Sequence, residues 1–188
     1  MPIEASENTI HVPSYDSAGD AYIAESRLVL EHSIRKIDHC LDQLTDADLW
    51  WRPHDSHNSI QNIILHLCGN VQQWIIHGVG GAPDVRGRPE EFADRRPIAK
   101  VELLDKLRGT VAEAGAVLAA LPPERLLERR RIQGLDTYIL AAIMDCVSHF
   151  VGHTHQIVYI TRMRLGDAYR FQFVPATVEQ GASHSHSP

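Results

Sequence analysis

Four stretches of this chain repeat apolar residues at helical spacing, and this pattern limits the fold more than any other feature. The first runs from about Ala18 to Leu44, with Leu28, Leu30, Ile34, Ile37 and Leu41 at steps of mostly three and four. The second opens at Asn58-Ser59, residues suited to capping a helix N-terminus, and ends at Gly78-Val79-Gly80-Gly81. Ile60, Ile63, Ile64, Leu67, Val71, Trp74 and Ile75 line its face. The third, about Lys100 to Leu121, carries Leu103, Leu104, Leu107, Val111, Leu118 and Leu121 and stops at Pro122-Pro123. The fourth spans about Thr137 to Leu165, with Gly166-Asp167 as its stop. No segment alternates convincingly in the manner of a strand. At 1.5 Å per residue these helices are rods of about 30–43 Å, and the expected fold class is an all-α four-helix bundle.

The connections set the topology. About 14 residues join the first two helices, and about 18, from Val79 to Arg96, join the second to the third. A span of about 18 extended residues reaches some 60 Å, enough to return the length of a helix. The long connection therefore allows helices two and three to run parallel. We expect an irregular arm over 1–17, a bundle over 18–170 and a flexible tail over 171–188.

Composition removes several classes of function. The 188 residues suit one domain, and 44% apolar with 22% charged residues suits a soluble one. Cys40, Cys68 and Cys146 cannot all pair and form no CxxC, which fits a reducing, cytoplasmic setting. A net charge of −6 argues against nucleic acid as a partner. No apolar run approaches membrane-spanning length, and the polar start does not read as a secretory leader.

Histidine is the unusual residue, 12 in 188. His149-Phe-Val-Gly-His153 puts two imidazoles about 40° apart on one helix face, a spacing that zinc sites use. The spacing alone carries little weight, because chance supplies about 0.75 such pairs at this histidine content. Context adds more. Tyr138, Ala142, Asp145, Cys146, His149, His153, Gln156 and Ile160 form one strip bordering the apolar face, where polar groups need partners. Those partners could be one another or a metal ion. His66, inside Ile63-Ile64-Leu65-His66-Leu67, stands at the border of the second helix's stripe, either as a half-buried histidine bonded to a neighbour or as a third ligand. His32 and His39 read as edge residues, His77 as a helix C-terminal cation, and His155 as outward-facing. His11, His54 and His57 fall in loops, and His184 and His186 in the tail.

From about Ile23 to Leu165 the chain resembles the DinB/YfiT-like superfamily of metal-binding four-helix bundles. The residues that carry the resemblance are His66 in Ile-Leu-His-Leu and the run His149-Phe-Val-Gly-His153-Thr-His-Gln156-Ile157. His155 departs from the glycine often found there. The segment Trp74 to Phe92 is similar to an uncharacterised branch of that superfamily. The resemblance implies up-down-down-up connectivity, a metal triad of His66, His149 and His153, and a homodimer. It also implies kinship with enzymes that act through small thiols.

Three imidazoles would leave a divalent ion an open position, able to lower the pKa of water or to hold a substrate thiol as thiolate. The ion is expected to be zinc or nickel, with iron or copper also compatible with imidazole. The function expected is a transferase using a low-molecular-weight thiol on a small-molecule substrate, with a metal-dependent hydrolase second and a non-catalytic bundle third. For a hydrolase Asp145 is the nearest base; alternatively it orients a ligand. Gln156 and Tyr138 stand as rim residues for substrate or as packing. No His-Glu-x-x-His occurs, which excludes that metalloprotease class. Arg86 and Arg88 in the long connection could meet a thiol cofactor's carboxylates, or could be balanced there by Asp84, Glu90, Glu91 and Asp94. Cys68 and Cys146 read as small core hydrophobes, and Glu124 to Arg131 as a charged surface. Trp50-Trp51 reads either as an exposed partner surface or as a plug for the bundle end.

Overall fold

The computed structural model describes residues 13–93 and 96–173. Helix α1 (Ala18–Leu41) starts at Ser17, whose Oγ accepts the backbone N–H of Asp20 at 3.1 Å and so satisfies an otherwise orphan amide. Helix α2 (Ile60–Val71) starts at Ser59 with a reciprocal cap: Asn62 N–H donates to Ser59 Oγ, and Asn62 Oδ1 accepts from the Ser59 amide. It continues unbroken into a π-helical turn, Gln72–Val79, where Gly80 N–H reaches back five residues to Ile75 O at 2.9 Å. Helices α3 (Arg88–Ala93), α4 (Lys100–Ala119) and α5 (Ile139–Leu165) follow.

Contacts at the helix ends fix the directions. Lys100 Nζ, at the start of α4, donates to Leu41 O and Leu44 O at the end of α1, so these two helices are antiparallel. Tyr22 Oη donates to Leu140 O at 2.7 Å, joining the starts of α1 and α5, which run parallel. Gln61 Nε2 donates to Arg96 O, and Ile98 N–H donates to Gln61 Oε1, so α2 and α4 begin side by side. The result is an up-down-down-up bundle, with α1 packed on α4 and α5 and α2 packed on the same pair. Leu30, Ile37, Ile63, Ile64, Leu67, Leu103, Leu107 and Phe150 fill its core. None of the described helices is long and apolar enough to cross a membrane.

Several expectations need correction. Leu28 lies off the α1 stripe and is exposed; Ile23, Ser26, Leu30, Ser33 and Ile37 form the buried face, with small serines where neighbours crowd the helix. Helix α1 ends at Leu41 rather than at Leu44, with Asp42 as its C-cap. The long connection contains α3. The charged run before α5 is a hairpin, with β1 (Arg129–Ile132) antiparallel to β2 (Leu135–Tyr138). Its two-residue turn places Gln133 and Gly134 at φ of 52° and 78°, the left-handed pair that matches strand twist. Three arginines in a four-residue strand hid the alternation, since only Ile132 is buried. Trp50 and Trp51 are half-buried against the core, and Arg164 lies over the Trp51 ring at 4.9 Å, so the pair closes the bundle end.

Of the expected arm and tail, residues 1–12 and 174–188, including His11, His184 and His186, lie outside the described residues, as do Asp94 and Arg95. Residues just after α5 fold back onto α1, where His39 Nε2 bonds Arg170 O at 2.6 Å and Arg170 N–H donates to Gln43 Oε1.

Candidate metal centre

The helix directions bring the middle of α2 against the middle of α5. His66 comes from the buried face of α2 and is 5% exposed; His149 and His153 are half-buried on α5, one turn apart. One ligand atom from each lies within 4.8 Å of the others. The three rings stand edge to face, with centroids 4.4–5.0 Å apart. Three histidines held this closely could bind one metal ion, and among the described residues they form the one such group of three.

The outer hydrogen bonds show which nitrogens are available. His66 Nδ1 lies 2.8 Å from Glu91 Oε2 and 3.1 Å from Arg86 Nη2; the carboxylate, which can only accept, is the nearer partner, so Nδ1 donates to it and Nε2 keeps its lone pair. His153 Nδ1 lies 2.9 Å from Gln156 Oε1 and likewise directs Nε2 inward. His149 Nε2 sits 2.8 Å from His66 Nε2 and donates to it. An ion would take the place of that one proton. Burial, followed by the charges of His153 and His66 and then Arg86 and Arg88, pushes the His149 pKa down to about 4. Burial also lowers that of His66, against the opposing pull of Glu91. Both shifts favour the neutral imidazole at His66 and His149, the form that binds metal.

Around this triad stands a polar arrangement built by the long connection. Glu91 on α3 is buried, and its carboxylate accepts from Arg86 Nε at 2.6 Å and from Arg86 Nη2 at 2.9 Å. Arg86 is itself nearly inaccessible, its side chain 2% exposed, and Nη1 donates to Gln73 Oε1. Gln73 Nε2 holds Asp84, and its Oε1 also accepts from Gln133. Phe92 lies against the His66 ring with centroids 5.0 Å apart, and the Arg88 guanidinium covers Phe92 at 5.5 Å. His66, Phe92 and Arg88 thus form a stack from the interior to the surface.

Comparison with known proteins gives a family and a fold. The family pattern "Protein of unknown function (DUF1572)" matches residues 17–177. The chain belongs to the DUF1572 family. No curated protein matches it. A conserved protein from Enterococcus faecalis superposes with a TM-score of 0.62 at 19% identity, covering 74% of this chain and 95% of that one. A DinB-like protein from Bacillus cereus ATCC 10987 gives 0.61 at 18% identity, covering 76% and 90%. At that identity the likeness speaks for the fold alone, and this DUF1572 chain has the DinB-like one.

The other sequence-nominated residues of this DUF1572 protein fall in different places. Gln156 joins the triad through His153. Asp145 is exposed, one turn before His149. Tyr138 does not join the site: it ends β2, its ring is covered by the Arg129 guanidinium at 5.8 Å, and it stands about 16 Å from His149 along the helix. Arg86 is taken up by Glu91, whereas Arg88 is exposed over Phe92. Burial raises the thiols of Cys68 to about 11 and Cys146 to about 12, so both are inert core groups. Sequence reasoning missed Glu91, read as a charge that balanced neighbouring arginines. The residue that could have revealed it is Gly69, one turn after His66 inside an apolar helix: a Cβ there would overlap Glu91 Oε1.

Proposed function

We propose that this protein is a metal-dependent transferase that uses a low-molecular-weight thiol, with His66, His149 and His153 holding a divalent ion. The observation that carries the reading is the convergence of the three imidazoles, two of them with Nδ1 anchored so that Nε2 faces inward. Zinc or nickel suits three nitrogens. When bound, such an ion would supply Lewis acidity at an open coordination position, enough to favour the anionic form of a small thiol or of water.

The chain's own groups support a thiol over water. A hydrolase needs a base beside its water. Among the described residues the carboxylate touching the triad is Glu91, and both its oxygens are engaged by His66 and Arg86. A thiol nucleophile needs no such base once ionised. The protein's own thiols near the site are buried and held protonated, so the nucleophile comes with the cosubstrate. Arg88 stands over Phe92 at the exposed end of the stack, where its guanidinium can pair with a carboxylate of that thiol or of the electrophile.

Elemental analysis beside a His149→Ala/His153→Ala variant tests the site: about one ion per chain is expected in the wild type and none in the variant. Cobalt substitution then tests the chemistry. A small thiol should shift the visible spectrum of the cobalt protein, and no response to any thiol would remove the transferase reading while leaving the metal site.

A further inference from the structure

One stripe of α2 and the π-helical turn that continues it is not explained by the core. Asn62, His66, Gly69 and Gln73 recur at steps of four, three and four, so they share a helix face, and the face is polar within a mostly apolar helix. Each residue meets the long connection. Asn62 Nδ2 donates to Glu91 O at 3.0 Å. His66 Nδ1 donates to the Glu91 carboxylate. Gly69 leaves the space that Glu91 Oε1 occupies. Gln73 receives Arg86 Nη1. A buried carboxylate is costly unless paired and hydrogen-bonded, and this one is held by its backbone, by a two-pronged guanidinium and by a notch without a side chain. Holding α3 could be achieved with apolar contacts alone. What a fixed anion adds is a defined proton position on the one imidazole it touches.

We propose that Glu91 is the positioning residue of the metal centre: it keeps the His66 proton on Nδ1 and thereby presents Nε2, with its lone pair, to the ion. This rests on the reading of the three histidines as metal ligands. Arg86 holds the carboxylate in register, and Gly69 makes room for it. The connection between α2 and α4 is then part of the site, because it delivers the group that selects the tautomer of the most buried ligand. A neutral imidazole without such an acceptor favours the proton on Nε2, where it blocks coordination. Carboxylate contacts of this kind orient metal-binding histidines and raise their basicity.

The test uses the full chain. Nitrogen-15 NMR of the metal-free wild type should show His66 protonated at Nδ1, and Glu91→Gln should move that signature toward a mixture with Nε2. The zinc dissociation constant, measured by competition with a chelating dye, should rise about 10–100-fold in Glu91→Gln. Gly69→Ala changes no charge but displaces the carboxylate, so it should weaken zinc binding in the same direction and disturb the same NMR signature. It also gives a second reading if Glu91→Gln does not fold. Wild-type His66 protonated at Nε2, or wild-type zinc affinity in a folded Glu91→Gln or Gly69→Ala protein, would overturn the assignment of Glu91. A wild type that binds no zinc would instead overturn the metal reading itself.

Discussion

Gln156 Oε1 stands 2.9 Å from His153 Nδ1, one turn further along α5, and fixes the proton of a half-buried ligand. The contact is exposed and neutral, unlike the buried carboxylate on His66. An exposed amide competes with water, and its net contribution is about 0.5–1.5 kcal/mol. Gln156→Ala should therefore weaken metal binding by no more than about tenfold, less than Glu91→Gln, and leave thermal stability nearly unchanged. Parallel zinc titrations of the two variants check the order; equal losses would mean that burial does not separate the two partners.

Acid should destabilise the metal-free protein within a defined window. Burial and the neighbouring positive charges hold the His149 pKa at about 4, against 6.5 ordinarily. Between those values the unfolded chain takes up a proton that the folded chain refuses. Stability is therefore highest above about pH 6.5, falls as pH drops toward 4, and loses nothing further to this group below that. His66, shifted in the same direction, adds to the slope. Urea unfolding of metal-stripped protein at pH 7, 5.5 and 4.5 should show the loss, and His149→Gln should show a shallower one. Equal slopes would mean that the imidazole is not desolvated as the packing implies.

The bundle was legible because its signal is repeated: an apolar residue at every third or fourth position over four long runs leaves few alternatives, and the long α2–α4 connection already allowed a parallel pair. The triad was legible at lower resolution. His149 and His153 stand out through the polar strip they share, because their spacing alone is near chance, and His66 needed the family resemblance, since a lone histidine at a stripe's edge has no periodic partner. Glu91 was not legible, because its meaning depends on a contact 25 residues away with His66 and on the absence of a side chain at Gly69. The hairpin was hidden for a related reason. Its strands are held by pairing and a left-handed turn, with one buried residue, and an amphipathic pattern cannot show in four residues.

The hairpin's one buried contact should matter more than its size suggests. Ile132 packs onto Gly78 at the end of the π-helical turn, and a Cβ at Gly78 would overlap Ile132 Cδ1. Gly78→Ala forces the hairpin away from α2 or distorts the turn, an overpacking cost of about 1–3 kcal/mol. The effect should appear as a lower unfolding midpoint. Ile132→Val, which shortens the intruding side chain, should restore part of the loss when combined with Gly78→Ala. Additive losses would place the strain elsewhere.

Arg88 separates binding of the substrate from binding of the ion. Its guanidinium covers Phe92 at 5.5 Å, and Phe92 in turn lies on His66, so the arginine is joined to the centre by packing and by charge without touching a ligand nitrogen. If the cosubstrate carries a carboxylate, Arg88→Ala removes an exposed charge-assisted contact, worth about 1.5–3 kcal/mol where it is well formed and less in open solvent. The expected result is a KM or thiol dissociation constant raised about tenfold, with zinc stoichiometry unchanged. Because the contact is electrostatic and near the surface, the wild-type preference for an anionic thiol should weaken as salt rises, and the variant should show little salt dependence. Arg88→Lys should recover part of the affinity, since it restores the charge but not the planar fork. Titrating the cobalt protein with a carboxylate-bearing thiol and with a neutral one of similar size reads both effects, and identical affinities for the two in the wild type would remove Arg88 from the binding of the thiol.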